Sequence, residues 1–290
     1  MDTGLTEIAA LRDESRHLRD ESRHRHAENI QLARALADLI GEGDRFRRAM
    51  RSGLVDDIDE EIARMLNHTV THRGFAAQRN LWFNPPLSVR YREGDVVLAQ
   101  VNERIVETPY VFRALSRVEP GATVLDVGAA ESTLAVSLAS LGYRVTAIDI
   151  RPYAPVHPSL ETVVAPIQDW SHDGAFDVVV CVSTIEHIGL GAYGEPRADE
   201  GSDGAAMQRM RELTKPGGLL VLTVPLGEAG VNDVQRTYDH AGLQALLEGW
   251  ELEDLTVARQ LDPRTWVVEP QETTSVDDEA RVALVTARRP

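Results

Sequence analysis

From about residue 122 to the end, the chain alternates uninterrupted runs of Val, Ile and Leu with stretches of helical character. The runs are "TVLDVG", "RVTAIDI", "LETVVAPI", "FDVVVCVST", "LLVLTVPLG", the end of "AGLQALLEGWELEDLTVARQ", and "RVALVTARR". Strands that are apolar on both faces need cover on both faces, so they belong in a mainly parallel sheet with helices on each side. "STLAVSLASLG", "DGAAMQRMRELTKPGG" and "AGLQALLEG" supply the helical segments, punctuated by glycine and Pro-Gly stops. The pattern predicts an α/β, doubly wound, mostly parallel seven-stranded sheet, with ligands at the carboxyl ends of its strands.

The preceding residues divide in two. Residues 5 to about 66 read as helical: Ile30, Leu32, Ala33, Leu36, Leu39 and Ile40 share one face before Gly41, and "DDIDEEIARMLNHTV" follows with acids in its first turn. "RDESRH" occurs at Arg12–His17 and again at Arg19–His24, with too few apolar residues for a coiled coil. Residues 67 to 120 connect. The Pro pair in "NLWFNPPLSVRY" forbids helix, and "VVLAQVNERIVETPYVFRALSRV" is expected to be helical. The predicted division is an N-terminal helical extension and connector over 1–104 and an α/β domain over 105–290. The extension is expected to act as a lid, an acceptor-specificity element or a homodimer contact, or simply to pack.

Composition narrows the function classes. A net charge of −16 speaks against a nucleic-acid partner, which needs clustered Lys and Arg. No apolar stretch approaches the roughly 20 residues that span a bilayer, and the N-terminus lacks a signal-type apolar core, so a cytoplasmic location without membrane contact is expected. The single Cys181 excludes an internal disulfide and a cysteine-cluster metal site.

Chemistry concentrates where the first strand of this domain ends. In "VLDVGAAEST" an apolar run closes on Asp126 and breaks into small residues, which let a ligand approach the backbone. Against the dinucleotide fingerprint, Gly128, Ala130 and Thr133 supply one glycine of three.

"VLDVGAAES" is similar instead to the first motif of the class I S-adenosylmethionine-dependent methyltransferases, with Asp126, Gly128, Ala130 and Ser132 in the pattern positions and small residues for the second and third glycines. "AIDI", "IQDW", "FDVVVCVSTIEHIG" and "LTKPGGLLVLTVP" follow in the order of that family's later motifs. The resemblance covers roughly residues 105 to 290 and implies S-adenosylmethionine as cofactor. It implies that Asp149 accepts the ribose hydroxyls, that Asp169 (with Gln168 beside it) meets the adenine amino group, and that Ile150 or Trp170 covers the ring. Asp126, Gly128, Ala130 and Ser183 are carried into the cofactor site in the same way. Arg104 or Tyr110 is expected near the cofactor's methionine end, where an Arg pairs with a carboxylate.

The resemblance places the acceptor after the fourth strand of the domain. His187 in "STIEHIGLGAYGEP" is the expected general base, since an unperturbed imidazole titrates near neutrality. Glu186 is a second candidate participant, and His240 in "RTYDHAGL" a third; a Glu-His pair here equally packs or caps a helix. Tyr193, Glu195, Tyr238 and Asp239 are expected to shape the acceptor pocket. The acids Glu195, Asp199, Glu200 and Asp203 would attract a cationic acceptor or form a solvated loop, and no metal is expected. Details of "IEHIGLGAYG" and "KPGGLLVLTVPLG" look like bacterial methyltransferases acting on sugars or sugar-bearing natural products. The expected reaction is methyl transfer to a hydroxyl or amine of a sugar or amino sugar. A catalytically silent relative that binds partners is the alternative, and a nicotinamide oxidoreductase is disfavoured by Ala130 and Thr133.

Overall fold

The computed structural model describes residues 87–92, 95–195, 197, 201–269 and 280–290. The helices expected over residues 5–66, and the dimer contact assigned to them, lie outside the described residues. Strands β1 (Leu87–Arg92) and β2 (Asp95–Val101) pair as a separate two-stranded sheet. The helix expected from "VVLAQV" onward therefore starts later, as α1 (Arg104–Leu115). Asn102 sets that start: its Oδ1 accepts from the Arg104 amide at 3.1 Å, satisfying one of the free N–H groups of the first turn.

The α/β unit is an eight-stranded sheet. Its members are β3 (Thr123–Val127), β4 (Arg144–Asp149), β5 (Leu160–Val164), β6 (Phe176–Val182), β7 (Thr214–Pro225), β10 (Glu251–Asp262), β11 (Thr265–Glu269) and β12 (Arg281–Arg288). A short hairpin, β8 (Gly230–Val231) and β9 (Arg236–Thr237), stands apart from it. The sheet order is β11-β10-β12-β7-β6-β3-β4-β5, with β3 to β7 parallel and β12, β10 and β11 joined by antiparallel ladders. The expected strand count is corrected from seven to eight: after β10 the chain turns tightly at Pro263–Arg264 and returns as β11, whose "TWVVE" has the aromatic and β-branched residues of an edge strand.

Period-two alternation sends side chains to two cores. Leu125, Val179, Cys181, Leu220, Leu222, Ala283 and Val285 face one side, packed under α3 (Ser202–Glu212) and α4 (His240–Leu246). Val124, Val178, Val180, Leu219, Val221 and Leu284 face the other, packed under α1 and α2 (Leu134–Ser140). Cys181 is buried in this core, and burial pushes its thiol pKa up, so it serves as a small hydrophobe. Among the described residues no helix is long and apolar enough to cross a membrane.

The chain winds outward from β3 through β4 and β5, then returns to β6 on the other side of β3. The connections that leave these two central strands thus run to opposite sides, which is where a doubly wound sheet opens a crevice at the carboxyl ends. Because Leu220 is fully buried in the middle strand β7, Leu220→Ala is expected to lose about 2–5 kcal/mol, while Val268→Thr on the exposed edge should change stability by about 0.5 kcal/mol or less. Denaturant midpoints at constant slope would check both.

Candidate functional site

The crevice is occupied by a cleft of about 1640 Å³. Its walls come from the segments that follow β3, β4, β5, β6 and β7, together with the start of α1, α3 and α4 and part of β11 and β12.

The turn after β3 is fixed by contact with the turn after β6. Gly128 has φ +81° and its amide donates to the Ile148 carbonyl at 2.8 Å. A Cβ on Gly128 would lie 2.1 Å from Thr184 Oγ1 and 2.7 Å from Thr184 Cβ, so glycine is required on two counts. Asp149 closes β4 and is buried at the cleft edge. Its Oδ2 accepts from the Ala130 amide (2.9 Å), and its Oδ1 from the Arg151 amide (2.9 Å) and Nε (3.4 Å). A carboxylate has about four acceptor positions. Oδ2 retains one, and the long Nε contact is the weakest of those in use.

Arg151 joins the two halves of the cleft. Its Nη1 pairs with Glu131 Oε1 at 2.7 Å, and its guanidinium lies 4.4 Å over the Tyr193 ring. Tyr193 in turn meets His187 edge-on at 5.3 Å. His187 Nδ1 lies 2.7 Å from the Val234 carbonyl. A carbonyl only accepts, so Nδ1 carries the proton and the neutral ring leaves the Nε2 lone pair free. Burial, with Arg104 and Arg151 nearby, holds the imidazole below its ordinary pKa. Glu186 Oε1 stands 3.7 Å from Nε2, beyond hydrogen-bond reach, and its Oε2 is buried with no partner. Burial, reinforced by Glu107, pushes the Glu186 carboxyl up to about 8, so it is protonated at neutral pH.

The expected site residues separate into two groups. Arg104, Gly128, Asp149, Ile150, Gln168, Asp169, Ser183, Glu186, His187, Tyr193, Glu195 and His240 all line the cleft. Asp126, Ala130, Trp170, Tyr238 and Asp239 do not. Asp126 lies within β3, where burial and the nearby Asp149 raise its carboxyl to about 7. Ala130 contributes its amide to Asp149 rather than a surface to the cleft. Trp170 stacks on His172 (4.7 Å) and packs against the core. Tyr238 is buried with its hydroxyl donating to Asp203 Oδ2 (2.9 Å), and Asp239 caps α4 by accepting from the Gly242 amide (2.7 Å).

Glu195 accepts from the Gly191 and Tyr193 amides, and Asp203 is engaged by Tyr238 and by Arg236 at 3.6 Å. These carboxylates hold the loop's own backbone and neighbours; Asp199 and Glu200 lie outside the described residues. Among the described residues no group of three or more His, Cys, Asp or Glu is placed to hold a metal ion.

Sequence reasoning missed Arg151, Glu131, Thr184, Glu107 and Trp266. Trp266 lines the cleft from the unforeseen β11, with Nε1 donating to the Val101 carbonyl at 2.7 Å. Its strand signal is present in "TWVVE"; each of the others has a contact with a residue distant in sequence, which no local pattern carries.

A family model described as "Caenorhabditis protein of unknown function, DUF268" matches residues 159–288. A ubiquinone biosynthesis O-methyltransferase of Xanthomonas axonopodis pv. citri is 36% identical over 121 residues, which are 37% of this chain and 45% of that protein. One from Rickettsia akari is 30% identical over 119 residues, again 37% of this chain and 45% of that protein. The chain thus spans less than half the length of the curated relatives it matches. Among solved structures, the N-methyltransferase NodS from Bradyrhizobium japonicum WM9, in complex with S-adenosyl-L-homocysteine, is similar over 65% of this chain and 87% of its own, at 20% identity and a TM-score of 0.46.

Two outcomes follow from this geometry. Gly128→Ala should lose about 2 kcal/mol or more of stability, and adding Thr184→Ala should restore only part, since Thr184 Cβ remains at 2.7 Å. Burial holds the Glu186 carboxyl up at about 8 in the folded chain, against the ordinary 4.5 of an unfolded one. The folded chain therefore holds the extra proton across that window, and stability falls as pH rises through it. Glu186→Gln should accordingly raise the melting temperature more at about pH 8.5 than at about pH 5, by roughly 2–4 °C. Equal shifts at both pH values would refute the assignment.

Proposed function

We propose that the α/β unit is of the class I, Rossmann-like methyltransferase kind and that the chain is an S-adenosylmethionine-dependent methyltransferase acting on a hydroxyl or amine of a small sugar-containing acceptor, in particular an amino sugar. One observation carries the proposal. The Gly128 turn, the Asp149 carboxylate and the free Nε2 of His187 come from three separate strand ends and open into one cleft. The partial likeness to O-methyltransferases of the curated relatives supports the same reading.

The residues present fit the cofactor. Asp149 retains acceptor capacity for ribose hydroxyls on Oδ2 and, where the 3.4 Å Arg151 contact yields, on Oδ1. Ile150 and Ile167 offer apolar walls beside the polar Gln168 and Asp169, a combination suited to an adenine ring and its amino group. Arg104 brings a buried guanidinium whose Nε has no partner, suited to a carboxylate. S-adenosylmethionine, when bound, supplies an electrophilic methyl group.

The chain's own contribution is to orient the acceptor and to take its proton. A neutral hydroxyl is a poor nucleophile and needs a base. His187 is neutral above its lowered pKa, and the Val234 carbonyl fixes the tautomer that leaves Nε2 able to accept that proton. Glu186, protonated beside it, can donate a hydrogen bond to an acceptor oxygen. Tyr193 forms a flat wall adjoining His187. Carboxyl groups outnumber guanidinium groups around the cleft, which favours an acceptor that also bears an ammonium group. His240 lines the cleft from the start of α4 and is the second candidate base.

Calorimetric titration with S-adenosylhomocysteine should give micromolar binding to the wild type and at least about tenfold weaker binding to Asp149→Ala. Turnover to S-adenosylhomocysteine on a panel of amino sugars and neutral sugars tests the acceptor class; binding without turnover on any acceptor would favour the catalytically silent alternative. His187→Ala should lose about 10²–10⁴-fold in kcat at unchanged cofactor affinity. In the wild type kcat/KM should rise with pH to a plateau reached at lower pH than an ordinary imidazole would set, because burial lowers the His187 pKa. An unchanged rate in His187→Ala would remove it as the base.

A further inference from the structure

Glu107 is the most deeply buried charged residue of α1, with no exposed surface. Its two oxygens serve different partners. Oε1 accepts from Ser183 Oγ (2.5 Å) and Thr223 Oγ1 (2.7 Å), and Oε2 accepts from Arg104 Nη1 (2.7 Å). The first pair of bonds ties α1 to β6 and β7 at their carboxyl ends. Ser183 needs such a tie: it is the only non-glycine with positive φ among the described residues (+39°), and its amide also donates to Thr223 Oγ1 at 2.9 Å.

The second bond acts on the cleft. Arg104 lines it, its side chain 13% exposed, and pairs with Glu107 through Nη1, while its Nε is buried with no partner. An unmade donor on a charged, buried side chain is costly unless a ligand takes it. A guanidinium presents its donors as a rigid planar fork, so fixing one nitrogen fixes the direction of the others.

We infer that Glu107 is a positioning residue: by holding Arg104 Nη1 it aims the free edge of the guanidinium into the cleft as the receptor for the carboxylate of the cofactor's amino-acid end. The inference rests on the reading of S-adenosylmethionine as cofactor. It assigns a task to a residue that touches no ligand itself, and it separates that task from Glu107's structural one, because the two use different oxygens.

Glu107→Gln separates them experimentally. The amide oxygen still accepts from Ser183 and Thr223, whereas the amide nitrogen meets Arg104 donor to donor. Two probes are titrated into the full chain: S-adenosylhomocysteine, which carries the amino-acid carboxylate, and 5′-methylthioadenosine, which carries the same nucleoside and sulfur without it. Glu107→Gln should weaken S-adenosylhomocysteine about tenfold, the scale on which outer hydrogen-bond partners act, and leave methylthioadenosine within about twofold. In an Arg104→Ala background, Glu107→Gln should add no further loss, since coupled residues are not additive. Equal weakening of both probes, no weakening of either, or an additive loss in the double variant would overturn the role. Should Glu107→Gln fail to fold, Arg104→Lys takes its place: one ammonium cannot serve Glu107 and the ligand as a fork does, so it should show the same selective loss, and wild-type affinity there would also overturn the inference. A wild type that binds neither probe would instead sink the cofactor reading, and this inference with it.

Discussion

The contact between Gly128 and Thr184 is the constraint on which the site depends. β3 and β6 are adjacent parallel strands, paired from Val124↔Val178 to Val127↔Cys181, and both must turn away at the same level. Two turns cannot occupy that space if both carry side chains. The chain resolves the conflict by omitting the Cβ on one side and seating a threonine on the other. The amides of that first turn are taken up by β4: Gly128 donates to the Ile148 carbonyl, and Ala130 reaches across to the Asp149 carboxylate at the end of the strand. A steric requirement between two strands thus also orients the acid on a third.

Charge in the cleft is organised around Arg104. Burial raises the carboxyls of Asp126, Glu131 and Glu186; the field of Arg104 offsets only part of that and opposes protonation of His187, and its ion pair is with Glu107. Glu186, left without a cation of its own in a buried position, responds by keeping its proton. The outcome is a neutral acid beside a neutral imidazole, with an Nε2 acceptor and a carboxyl donor 3.7 Å apart in heavy-atom terms. Had Arg104 paired with Glu186 instead, the cleft would hold a fixed salt bridge where it now holds two groups able to exchange protons with an acceptor.

The sequence made the sheet legible because burial on both faces leaves a one-dimensional signature: Val178 to Val182 reads as a strand whatever surrounds it. Asp149, His187 and Gly128 were legible for a related reason, since each sits at a strand end that the apolar pattern locates. What the pattern cannot carry is direction beyond the strand end. An aromatic ring after β5 or β7 suits a ligand surface and a core equally, and Trp170 and Tyr238 find apolar contact in the core. An acid just before a helix suits a pocket or a cap, and Asp239 caps α4. Glu107 and Arg151 give no readable signal: the Glu107–Arg104 and Arg151–Asp149 contacts are ordinary local spacings, and what marks the two residues is Ser183 and Glu131, 76 and 20 residues away.

The orientation of His187 depends on a segment with no chemistry of its own. The Val234 carbonyl that fixes the imidazole belongs to the loop between β8 and β9, a two-residue-per-strand hairpin too small to hold itself in place. Asn232 Oδ1 accepts from the Val234 and Gln235 amides (both 2.8 Å), which shapes the loop. Arg236 then fastens β9 to the His187 turn, with Nη1 donating to the carbonyls of Glu186 (3.3 Å) and Ile188 (2.8 Å) and Nη2 to Ser202 Oγ (3.2 Å). The backbone on either side of His187 is therefore tied by one guanidinium to the strand that follows the carbonyl selecting its tautomer. Movement of the hairpin without the turn would require breaking charge-assisted bonds to two carbonyls, so the ring and its selecting carbonyl travel together.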